Sequence, residues 1–158
     1  MSYSPTQKMV WTLLSLLILI SLIGLSYQLK SNILPLASLT TAIDPTCNLR
    51  ASTCTSTLPN GGKVSFTITP KNIPLLQPLT LEVLTEGIQV FTVEVDIMGL
   101  NMDMAYNHVK LTTETKGRFK GNTTIPICIR NKMDWQASVL LRTDQGLINA
   151  PFHFYTLK

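Results

Sequence analysis

The sequence predicts an all-β protein: an immunoglobulin-like antiparallel β-sandwich of about seven strands, preceded by one N-terminal transmembrane helix. Three observations predict it. An apolar run, "MVWTLLSLLILISLIGLSYQL", extends from Met9 to Leu29 without a charged residue. From Lys63 onward, hydrophobicity alternates with a period of two. Clusters of turn-forming residues punctuate that alternation.

The apolar run comes first. At 1.5 Å per residue, a helix of about 20 residues crosses a bilayer core of roughly 30 Å. Trp11 and Tyr27 lie near its two ends, where amphipathic rings favour the headgroup layer, and Lys8 and Lys30 bracket it. A cleaved signal has an apolar core of only about 7–15 residues with a small-residue site close behind. Here the nearest small-residue positions, around Ala37 and Ala42, lie well past the run. A soluble core helix would not be apolar all round for so long. The expected division is a cytoplasmic tail over 1–8, a membrane helix over 9–29, an extracytoplasmic tether over 30–62 and the sandwich over 63–158. The tail carries Lys8 and the terminal amine, whereas Lys30 is followed by no base until Arg50, so the charge asymmetry favours the tail inside.

The tether segment holds Pro35, Pro45, many hydroxyls and the turn "TSTLPNGGK". It also holds Cys47 and Cys54, close enough in sequence for a local disulfide. Such bonds persist in oxidising compartments. Cys128 has three readings: a small buried hydrophobe, a disulfide partner for Cys47 or Cys54, or a metal thiolate. In "IPICIRNKMDW", alternation sets Ile125, Ile127 and Ile129 on one face and Cys128 on the other, which favours a face role over a core role.

The strand segments follow in order. "KVSFTITP" sets Val64, Phe66 and Ile68 inward, and "LTLEVLTEG" does the same with Leu79, Leu81 and Val83. "VFTVEVDIMG" sets Phe91, Val93, Val95 and Ile97 against Thr92, Glu94, Asp96 and Met98. "NHVKLTTET" points Val109 and Leu111 inward, with His108 and Lys110 outward, and "RFKGNTTIPI" follows a turn at Gly117. "WQASVLLRTD" alternates Trp135, Ala137, Val139 and Leu141 with Gln136, Ser138, Leu140 and Arg142, and "NAPFHFYTLK" sets Phe152 and Phe154 against His153 and Tyr155. The expected core centre is Trp135, Phe91, Phe152 and Phe154. Pro126 and Pro151 belong at an edge or a bulge. A compact barrel is the alternative closure of the same strands.

Composition narrows the function. The chain carries a net charge of +4, and residues 31–158 hold 11 bases and 9 acids without a dense basic cluster, which is no nucleic-acid footprint. Hydrolase, phosphate-loop, zincin and dinucleotide fingerprints are missing. The two histidines, His108 and His153, have no aspartate at a telling spacing, so the expectation is no enzyme and no catalytic residue.

The one chemistry-bearing stretch is "MGLNMDMAYNH". Met98, Met102 and Met104 offer thioethers and His108 an imidazole, and soft sulfur with imidazole selects Cu(I) over hard cations. Met98 and His108 stand at the two roots of the loop and Met102 and Met104 at its tip. The opposing reading is that methionine fills gaps at a sandwich end. Met133 reads as packing and His153 as a solvated strand residue.

The order of these features resembles a known group. An anchor helix leads to "GLNMDMAYNHVKL", then "GRFKGNTTIPICI", then "MDWQASVLLRT". This is similar to the FixH-like and YtkA-like family of bacterial membrane-anchored extracytoplasmic domains. The shared patterns are a methionine-rich turn, "G-x-[FY]-x-G" at Gly117–Gly121 and "W-x-[AV]-x-[VL]" at Trp135–Val139. The resemblance covers the anchor and residues 63–158, not the Cys47–Cys54 segment. It implies a single-pass protein of the bacterial inner membrane with its domain in the periplasm. It also implies Cu(I) handling or haem-copper oxidase assembly, with Met102 and Met104 as ligands and Met98 or His108 completing the site. The chain departs from the family pattern after the methionines, where "AYNHV" stands in place of prolines. A membrane-protein or periplasmic partner is expected. The alternative is a metal-free structural subunit or interaction module of an inner-membrane complex.

Overall fold

The computed structural model describes residues 5–31, 39–59, 61–103 and 107–158. Met104, Asn60, Pro35 and the side chains of Lys8, Tyr27 and Lys30 lie outside the described residues. The chain divides into two compact units, Met1–Pro35 and Leu36–Lys158.

The first unit is one helix, α1 (Pro5–Ser31), which contains the expected span. Its stretch Pro5–Gly24 is long and apolar enough to cross a membrane. Trp11, Leu13, Leu14, Leu17 and Ile20 are all exposed. A helix apolar all round requires an apolar surrounding. Two of its hydroxyls bond within the helix: Thr12 Oγ1 donates to Met9 O (2.9 Å) and Ser15 Oγ to Thr12 O (2.8 Å). That back-bonding removes polar groups lipid could not satisfy.

The second unit is mostly strand. Its elements are β1 (Leu39–Thr40), β2 (Cys54–Thr57), β3 (Lys63–Thr69), β4 (Leu79–Glu86), β5 (Val90–Gly99), β6 (Asn107–Thr115), β7 (Arg118–Thr123), β8 (Lys132–Thr143) and β9 (Gly146–Leu157). They form one nine-stranded sheet in the order β1-β9-β8-β5-β6-β7-β4-β3-β2. Every pairing is antiparallel except β1 with β9. β6 divides its length: Asn107 to Leu111 pairs with β5, and Thr112 to Thr115 with β7. Phe66 of β3 and Phe152 of β9 stand far apart in this order, yet their rings meet at 5.4 Å. The sheet therefore folds over on itself, and Ser56 Oγ reaches Thr41 Oγ1 (2.9 Å) between its two ends.

The alternating residues of β3, β4 and β8 are buried as their period dictates, and so are Val93, Val95 and Ile97 of β5. Trp135 is 1% exposed, stacks on Phe154 at 6.3 Å and donates its indole N–H to Thr156 Oγ1 (2.9 Å). A buried indole nitrogen without that acceptor would cost free energy. Pro151 pairs opposite Ser138 just past the stretch that β1 covers, where its missing N–H faces an open edge.

Gly117 holds φ +79° at the β6–β7 turn, and a Cβ there would stand 2.8 Å from Thr85 O. A Cβ at Gly121 would meet Val109 Cγ1 at 3.1 Å. Both glycines of the "G-x-[FY]-x-G" pattern are thus explained by close approach.

Three expectations need correction. Phe91 is 54% exposed, because a register shift between Val90 and Thr92 takes it out of the alternation. Residues 124–131 are no strand: they connect β7 to β8, and Pro126 lacks the N–H a ladder needs. Ile127 and Ile129 are exposed there while Ile125 and Cys128 are buried, so Cys128 faces the core side, not the outer face. The described part of the 30–62 segment is not a tether. It supplies β1, β2 and the Cys47–Cys54 disulfide, and its Leu49 and Leu58 are fully buried. Thr46 N and Oγ1 donate to Asp44 Oδ1 at the head of the disulfide loop, which holds that carboxyl below its usual pKa. Lys71 Nζ donates to Leu49 O and Ser52 O across the loop.

Leu49→Ala is expected to destabilise the domain by about 2–5 kcal/mol, the cost of emptying a core site. Chemical denaturation measures it. A change near zero would restore the tether reading.

Candidate metal centre

The loop between β5 and β6 is fixed at both roots. On the β5 side, Leu100 N donates to Asp134 O (2.9 Å) and Asn101 Nδ2 to Asp134 Oδ2 (3.3 Å). On the β6 side, Asn107 Nδ2 donates to Thr124 O (2.9 Å) and Asn107 Oδ1 accepts from Thr123 Oγ1 (2.9 Å). The first pair ties the loop to the start of β8, the second to the end of β7. Residues 124–131 run between those two anchor points. They are held by Leu76 N donating to Ile125 O (2.9 Å) and by Lys158 N donating to Asn131 O (3.0 Å).

This arrangement turns Met102 inward. It is half-buried and packs against the core, and its Sδ lies 3.2 Å from Cys128 Sγ. Cys128 is 8% exposed and is the free cysteine, since Cys47 and Cys54 are joined. Two soft donors, 26 residues apart in sequence, therefore meet beneath the loop. Neither belongs to a strand.

The other expected ligands lie elsewhere. Met98 is 48% exposed on the outer face of β5. His108 is on the same outer face, opposite Asp96 in the β5–β6 register. Its Nδ1 lies 2.5 Å from Asp96 Oδ1 and its Nε2 3.6 Å from Glu94 Oε2. Both ring nitrogens face carboxylates, so the imidazole is held against acids of β5 and turned away from Met102. The structure thus separates Met98 and His108 from Met102, and Met104 lies outside the described residues. Among the described residues no group of three His, Cys, Asp or Glu side chains gathers to hold a metal. Met133 is buried and packs in the core, and exposed His153 donates from Nε2 to Gln136 Oε1 at 3.2 Å.

Sequence reasoning overlooked Asn101, Asp134 and Asn107, which position the loop. Asn101 reads as an ordinary turn former, and its side-chain partner lies 33 residues away. A signal for His108 did exist: Glu94 and Asp96 share its outer face by alternation.

No family model, no curated protein and no solved structure matches the chain.

His108→Gln is expected to leave Cu(I) affinity unchanged and to alter stability by less than about 1 kcal/mol, the range of exposed ion pairs. Competition titration and denaturation check both. An affinity loss beyond about tenfold, or 1.4 kcal/mol, would return His108 to the ligand set.

Proposed function

We propose that the chain is a membrane-anchored accessory protein that handles Cu(I) on the periplasmic side of a bacterial inner membrane. We read its domain as an immunoglobulin-like sandwich of the FixH-like and YtkA-like type. The topology supports the fold reading. β3, β4 and β7 pair on one side, β5, β8 and β9 on the other, and β6 contributes to both, which makes seven strands in Greek-key sequence. β1 and β2 are additions at the edges. The apolar α1 supports the anchor. The Cys47–Cys54 disulfide supports an oxidising compartment.

The observation that carries the copper reading is the position of Met102, its thioether turned onto another sulfur at 3.2 Å. Sulfur donors beneath a loop fit Cu(I) and fit no hard cation. Met98 and His108 do not fit this site, and Met104 enters on the resemblance alone. The three-torsion methionine side chain adapts readily to an ion. Copper here is cargo, and the protein's part is to hold it in a low-coordinate sulfur environment and present it to a partner.

The exposed apolar residues of two neighbouring connections, Leu76, Ile127 and Ile129, favour a second reading: a metal-free interaction module of a membrane complex. A stoichiometric complex that survives chelation in mild detergent would support that second reading.

Titrating the full chain in detergent with Cu(I) against a competitor is expected to give one ion per chain. Loss of an outer-shell group costs about 10–100-fold in metal affinity, so Met102→Leu with Met104→Leu is expected to cost at least about tenfold. Equal binding by the double variant would remove the loop from the site.

A further inference from the structure

We infer that Cys128 is the thiolate ligand of the copper site, paired with the Met102 thioether. The inference rests on the copper reading above and changes its ligand set from the methionines Met102 and Met104 to one thiolate and one thioether.

The geometry supplies the first argument. Cys128 Sγ and Met102 Sδ lie 3.2 Å apart, and both residues sit in connections that fixed side chains hold in place. No other thiol competes, because Cys47 and Cys54 are joined to each other. The donor set supplies the second. A thiolate is the strongest soft donor a protein offers, and it binds Cu(I) where thioethers alone hold it weakly. Hard-donor competition is slight: among the described residues no His, Cys, Asp and Glu cluster forms. Asp103, beside Met102 in the loop, is exposed to solvent, and Glu94 and Asp96 are engaged with His108 on the outer face.

Burial supplies the third. Cys128 is 8% exposed, so bulk thiols reach it poorly, while neither Cys128 nor Met102 lies in a strand whose hydrogen bonds an entering ion would break. On binding, the S–H bond breaks, a sulfur–copper bond forms and the proton leaves to solvent. Copper remains monovalent throughout, so no oxidant or reductant is needed.

The test uses the full chain in detergent, reduced at Cys128 with the Cys47–Cys54 bond intact, and titrated anaerobically with Cu(I). Two quantities are read: bound copper, and the ultraviolet charge-transfer absorbance of a copper thiolate, which thioether binding does not produce. The expected result is a thiolate band saturating at one equivalent in the wild type. Cys128→Ser is expected to abolish the band, and Met102→Leu to keep it with affinity reduced at least about tenfold. Copper bound by the wild type without a thiolate band overturns this inference and leaves the copper reading standing on methionines. No copper bound at all overturns both. The wild-type measurement decides the matter even if Cys128→Ser fails to fold.

Discussion

The rest of the domain depends on one strand, β6, serving two ladders in turn. Its first half completes β5 and its second half completes β7. A strand shared in this way cannot lie flat in one layer with both neighbours, because each ladder carries its own twist. The sheet therefore folds over, and the apolar faces of β3, β4, β5, β8 and β9 close on one core around Trp135, Phe66 and Phe152. The switch also fixes where the β5–β6 loop must sit. It emerges at the end of the domain where β7 gives way to the connection carrying Cys128, and Asn107 ties the two together.

The candidate site follows from that placement. The β5–β6 loop and residues 124–131 meet only because the fold brings non-adjacent connections to one end of the domain. Asn101 and Asp134 hold one side, and Asn107 with Thr123 and Thr124 holds the other. Met102 then has nowhere to turn but inward, onto Cys128. His108, two ladder positions from the same loop, meets a different fate because the register sets it across from Asp96.

Much of this was legible in the residues, and the limits have physical causes. The helix α1, with a stretch long and apolar enough to cross a membrane, is readable from length and apolarity. β3, β4 and most of β5 are readable because one face lies in the core and the other does not, which forces a period of two, whereas β6 and β7 bury only Leu111 and Phe119. β1 and β2 were not readable: one has two residues, and "CTST" carries no large apolar side chain. The core role of Leu49 depends on the turn closed by Cys47 and Cys54, not on any periodicity. Phe91 obeys the period in sequence and is expelled by a bulge, a feature of pairing that a single strand does not encode. For the site, alternation correctly turned Met98 and His108 outward. Convergence of those two with Met102 did not follow, because the partner of each was decided across strands and loops 12 to 33 residues distant.

We infer that this domain offers copper a shell of sulfur, built from Cys128 and Met102, with histidine excluded. X-ray absorption at the copper edge of the Cu(I)-loaded full chain tests it most directly. The account predicts a monovalent edge and a first shell of sulfur scatterers alone. A shell containing imidazole nitrogen would contradict it, placing the metal with His108 on the outer face of the sheet.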